Sequence, residues 1–187
     1  NGHEVHVFTR ADEDQSEYEE VNDVHYHRCK FDHGEGILDH SERMCKSMVE
    51  YVNREERKNG KFDIIHGHDW MIYDALEKLN DHSTIMSFHS TEKGRVGRIV
   101  GEISERIVEK ERVAGEIADK VVTVSGVMKS ELEGLYGFPP EKVHVVPNGS
   151  FTQDIEKDID SGILKEEYGF DESEPLVMFL GRMEYQK

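Results

Sequence analysis

Two short stretches hold the side chains best suited to chemistry: His66-Gly67-His68-Asp69-Trp70 and His89-Ser90-Thr91-Glu92. Residues two apart on a strand face the same way, so His66 and His68, with a carboxylate alongside, could bind zinc or iron. The His-x-His-x-Asp-His pattern of binuclear hydrolases is not met, because Asp69 directly follows His68 and Trp70 comes next. A blander reading makes Asp69 the N-cap of a helix starting near Trp70, with one histidine packed. A third reading, a polar substrate site, is preferred. His89-Ser90 suggests a base and a nucleophile, but no G-x-S-x-G elbow surrounds them. Near the end of the chain, Arg182 offers a planar fork for phosphate oxygens and Lys187 a flexible point charge. There is no Walker loop and no G-x-G-x-x-G, so any nucleotide is held by another device.

Both histidine stretches close apolar runs, Ile64-Ile65 and residues 84–88, with a helical pattern between them. Two successive strands thus deliver polar residues at their carboxyl ends, the edge where open α/β sheets bind ligands. Around this centre, residues 4–8 alternate as a strand, 24–28 read as a short edge strand, 120–125 as a buried strand and 143–146 as another apolar strand. Pro175 introduces a last strand at 176–180. Apolar residues from Ile37 to Val52 mark one helical face that ends in the polar run 53–61, with Cys45 and the methionines packing along it. Residues 92–101 read as a mobile Gly-rich loop before a long helix carrying Ile99, Ile103, Ile107, Ala114 and Ile117. Ser125 caps a helix over 127–136 that Gly137 and Pro139-Pro140 end. Residues 11–23 hold seven acidic and no basic residues and read as a solvated loop; 151–162 read as a linker and 163–169 as a short helix. Strands alternating with helices predict an α/β, Rossmann-like, mostly parallel sheet with flanking helices.

Composition narrows the classes. The 187 residues suffice for a real core, and no apolar run approaches the roughly 20 residues of a bilayer span. A net charge of −17 argues against binding nucleic acid, which needs Lys and Arg surfaces. Two cysteines are too few for a disulfide scaffold, and no apolar leader opens the chain, so a reducing cytoplasm is expected. A chain that opens almost at once on a strand, and closes on one without a partner, is expected to be a fragment of a longer protein.

Six blocks in order carry a resemblance. They are residues 2–10 (GHEVHVFTR), 62–70 (FDIIHGHDW), 84–95 (TIMSFHSTEKGR), 118–125 (ADKVVTVS), 136–149 (YGFPPEKVHVVPNG) and 180–187 (LGRMEYQK). Together they resemble the retaining family 4 glycosyltransferases, the group that includes glycogen, starch and sucrose synthases. The resemblance implies a GT-B architecture of two Rossmann-like domains. Residues 1–170 would be most of the acceptor-side N-terminal domain, lacking its first strand and helix. Residues 171–187 would be the truncated start of the donor-binding domain. It also implies that His89 lies beside the donor sugar as the catalytic residue, that His68 and Asp69 line the sugar floor, and that Arg182 and Lys187 hold the donor diphosphate. The expected partners are a sugar nucleotide such as ADP-glucose or UDP-glucose and a glycan acceptor, with no metal and no further cofactor. The fragment alone would not catalyse. The alternative is a non-catalytic carbohydrate- or protein-binding domain. Lys93 stands where the family often has Tyr, and Ser150-Phe151 where it usually has an aliphatic residue and Asp.

Overall fold

Strand β1 (Val5–Arg10) pairs in parallel with β3 (Val24–Cys29), placing His6 beside His25 and Phe8 beside His27. β2 (Tyr18–Val21) runs antiparallel along the other edge of β3, giving the order β1-β3-β2. The computed structural model describes residues 2–12, 14–99, 101–149 and 160–181. β2 corrects the reading of 11–23 as a loop, and it makes β3 a central strand rather than an edge. The hairpin forms because Asn22 and Asp23 both take positive φ (52° and 60°), the two-residue turn whose twist matches paired strands. Ion pairs from Glu17 to Lys30 and from Glu19 to Arg28 compensate part of the acidic charge.

Helix α1 (Gly36–Asn59) then crosses to the second sheet. It runs seven residues beyond Val52, through the polar stretch expected to end it. Arg54, Glu55, Glu56 and Lys58 are good helix formers, and Glu55 is buried and paired with Lys58 at 2.8 Å. Gly60, at φ 96°, supplies the stop.

The second sheet holds four parallel strands in the order β4-β5-β6-β7: Ile64–His68, Ser83–Phe88, Lys120–Thr123 and Val143–Val145. Between them run a single 3-10 turn (Trp70–Ile72), α2 (Tyr73–Lys78), α3 (Glu92–Val96), α4 (Gly101–Ile117) and α5 (Gly126–Tyr136). The core is one-sided. Met86 and Phe88, on one face of β5, pack with Leu76 of α2, Ala114 of α4 and Leu132 of α5. Alternation sends the other residues of β4 (Ile64, His66, His68) to the opposite face. Gly137 takes the left-handed conformation that ends α5 (φ 69°), and Ser125 Oγ accepts from the Met128 amide at 3.2 Å, both as expected. α3 corrects the expectation of a mobile loop at its first half, because Thr91 caps it by accepting from the Gly94 amide.

The chain divides into two compact units, 1–147 and 148–187. In the second, Asp160 caps α6 (Ser161–Glu167), accepting from the Gly162 amide at 2.9 Å. The strand expected at 176–180 is not formed. These residues pair with no strand among the described ones, and Val177 is fully exposed. An apolar run becomes a strand only where a partner completes its hydrogen bonds. Of the linker expected over 151–162, residues 151–159 lie outside the described residues, and Ser161 and Gly162 belong to α6 instead.

Candidate functional site

β4 and β5 are in parallel register, His68 opposite Ser87, so their carboxyl ends stand together. His68 Nδ1 lies 3.0 Å from His89 Nε2, with the two rings stacked at 5.3 Å and 16°. His66 stacks on His68 at 4.4 Å, and its Nε2 is 2.7 Å from Ser87 Oγ. Three imidazoles thus form a stair along one sheet face, ending at the strand tips. Burial first, then the neighbouring imidazoles, hold His66 and His68 below the ordinary imidazole value. In a neutral imidazole one nitrogen donates and the other accepts, which suits sugar hydroxyls.

Asp69 is not a helix cap; no capping bond reaches its side chain. Its Oδ1 accepts instead from the His89 amide at 2.9 Å, while its own amide donates to the Ser87 carbonyl at 2.8 Å. It therefore ties the two strand ends together and fixes the backbone that carries His89. Asp69 does this at φ 57°, ψ 170°, a region of backbone space occupied almost only by glycine. Asp69 Oδ1 is engaged by that amide, and His66, His68 and Asp69 do not gather their ligand atoms into a metal-sized group among the described residues. Gly67 allows the turn that follows to pack close, since a Cβ there would stand 2.2 Å from Ile72 Cδ1. Trp70 is buried against Leu38 and Ile107, anchoring the end of β4.

Behind His89 lies a polar network that the sequence reading missed. Arg95 donates to Ser90 Oγ (2.7 Å), to Glu92 (3.0 Å) and to Glu111 (3.1 Å). Glu111 of α4 is fully buried and also accepts from the Glu92 amide at 2.8 Å and from the Tyr136 hydroxyl. Burial pushes the Glu111 carboxyl up, against the opposing pull of Tyr136 and Arg95. Thr91 donates to Glu131 of α5. The 89–92 stretch is thus held by α4 and α5 together. A signal was present: Glu111 falls four residues after Ile107 and three before Ala114, on the apolar stripe of α4.

The two cysteines do not join this site. Cys29 and Cys45 are free and buried, and burial pushes both thiols up to about 12. They are packing residues at neutral pH. Arg182 and Lys187 lie outside the described residues.

The glycosyltransferase family 4 model matches residues 1–153. The chain belongs to glycosyltransferase family 4. A glycosyltransferase of Methanocaldococcus jannaschii is 32% identical over 198 residues, covering 100% of this chain and 49% of the relative. A glycogen synthase of Mycobacterium tuberculosis is 27% identical over 134 residues, covering 67% of this chain and 29% of its own. Sucrose-phosphate synthase from Thermosynechococcus elongatus shares the fold at a TM-score of 0.67 and 18% identity, over 81% of this chain and 40% of that one. This family 4 chain therefore spans half or less of the length of these relatives. Its α/β fold corresponds to the N-terminal part of a GT-B glycosyltransferase. Among the described residues no helix is long and apolar enough to cross a membrane.

Proposed function

We propose that the longer protein carrying this family 4 chain transfers glucose from a nucleotide-sugar donor, ADP-glucose or UDP-glucose, to a glycan or sugar acceptor with retention of configuration. The observation that carries this reading is the His68–His89 pair, 3.0 Å apart at the carboxyl ends of neighbouring parallel strands. The similarity to a glycogen synthase supports glucose as the sugar and an α-glucan as the acceptor. In this reading His89 contacts the donor sugar near its reacting carbon, and His68 and Asp69 form the floor beneath it. The anomeric carbon becomes oxocarbenium-like as the glycosidic bond breaks. The departing diphosphate gains negative charge, which the cationic side chains of Arg182 and Lys187 would stabilise. Burial holds the His68 imidazole below its ordinary value, which favours the neutral ring that hydrogen-bonds sugar hydroxyls. The reaction runs in the cytoplasm, a compartment that suits two free thiols.

The outer edges of β1 and β4 pair with no strand among the described residues, and both line one groove of about 690 Å³ with Met48 and Leu76. This supports a further strand between them, supplied with its crossover helix by the longer protein. Purified full-length protein, offered a panel of sugar nucleotides and a glycan primer, tests the functional reading through nucleoside diphosphate release. Release that falls in His89→Ala and Arg182→Ala is expected. Glycan binding without turnover of any donor would favour a non-catalytic binding domain instead.

A further inference from the structure

A second histidine cluster stands at the amino ends of β1 and β3, whereas His68 and His89 stand at the carboxyl ends of β4 and β5. His6 and His25 are register partners on adjacent parallel strands, so their rings share one sheet face, stacked at 4.5 Å. Glu4, two residues before His6, reaches the same face and places Oε1 3.0 Å from His6 Nε2. One ligand atom from each of the three residues lies within 4.8 Å of the other two. Donors bonded to one first-row ion at about 2.0–2.2 Å necessarily sit this close together.

The second nitrogens of both rings are already engaged. The Tyr18 hydroxyl is 2.8 Å from His25 Nδ1, which leaves Nε2 as the nitrogen His25 can offer. His27 Nε2 is 2.9 Å from His6 Nδ1. Metal-ligating histidines characteristically hold their other nitrogen in such a bond, which fixes the tautomer and the ring orientation. Buried His27 Nδ1 has no hydrogen-bond partner and faces Glu55 Oε1 at 4.0 Å. With an ion on His6 Nε2, His6 Nδ1–H donates to His27 Nε2, and the His27 proton moves to Nδ1, toward that carboxylate. The proton count is unchanged, and the unpartnered nitrogen gains a purpose.

We propose that Glu4, His6 and His25 form a binding site for a first-row divalent cation, zinc foremost. Two imidazoles and one carboxylate suit zinc and leave at least one position for water. The site lies at the opposite strand ends from the proposed sugar site, so its role is to staple the residues preceding β1 onto β3. The test titrates chelator-stripped full-length protein with zinc chloride by calorimetry, with thermal unfolding read in parallel. Wild type is expected to take up one equivalent at this site and to unfold at higher temperature when loaded. Glu4→Gln and His25→Gln lose the binding and the thermal shift, both replacing exposed or half-buried groups that the core does not need. Tyr18→Phe weakens binding by about tenfold or more through the lost outer bond. His68→Gln, in the other imidazole cluster, binds as wild type. The proposal is overturned if wild type takes up no zinc at micromolar concentration, if Glu4→Gln and His25→Gln bind unchanged, or if His68→Gln removes the binding.

Discussion

Asp69 adopts a backbone conformation that costs an L-residue on the order of 1–3 kcal/mol, and it holds the His89 amide in return. Strain and positioning should therefore separate by substitution. Asp69→Gly relieves the conformation and loses the tie, so it should unfold at a denaturant midpoint no lower than wild type while donor turnover falls. Asp69→Ala keeps the strain without the bond and should be less stable than either. If Asp69→Gly were both less stable and fully active, the positioning role would fail. The imidazoles make a second prediction at this scale. His66 and His68 are held below about 6.5, the ordinary imidazole value, so the unfolded chain binds protons that the folded chain does not. Their contribution to stability is present above about pH 6.5 and is lost as pH falls below it. His66→Gln should flatten that slope in a pH series of chemical unfolding; an unchanged slope would contradict it. The sequence brought Asp69 forward as a candidate but did not show how it acts, because its partner His89 lies twenty residues away, just past the end of the next strand.

The elements were legible where periodicity and turn chemistry agreed, and less so where polar side chains do core work. β4, β5, β6, β7 and α5 follow their apolar patterns and their glycine and serine punctuation. β3 reads as an edge because it is rich in histidine, yet His27 is buried by stacking on Phe8 at 4.6 Å. β2 was obscured by its charge, although Asn22-Asp23 between two valines is a hairpin signal. Glu111 sits on the apolar stripe of α4, and composition alone cannot say that a carboxylate there is matched by Arg95 and Tyr136. Glu111→Ala should cost roughly 3 kcal/mol, since Arg95 and the Glu92 amide lose their acceptor in a buried site. Glu111→Gln should recover part of that loss. Equal stability of Glu111→Ala and wild type by urea denaturation would show the network to be dispensable. Gly67→Ala should cost about 1–3 kcal/mol, because its Cβ meets Ile72 and the end of β4 must shift.

At the scale of the first compact unit, residues 1–147, the outer edges of β1 and β4 border one groove, the place where the further strand proposed above would sit. The residues 1–187 alone are therefore expected to bind a hydrophobic dye at that groove, and the longer protein to bind it less. Equal dye binding would mean that the groove is a lasting surface. Six sequence blocks made the family readable across nearly the whole chain, and five of them contain all or most of a strand of the fold. The choice of donor was not readable, since the diphosphate that Arg182 and Lys187 are expected to hold is common to ADP-glucose and UDP-glucose. The most direct test of the account is nucleoside diphosphate release by full-length protein given ADP-glucose or UDP-glucose and a glycan primer, wild type against His89→Ala. Release by wild type and a loss of about a hundredfold or more in the variant are expected. Equal rates in the two proteins, or no release from any sugar nucleotide, would contradict it.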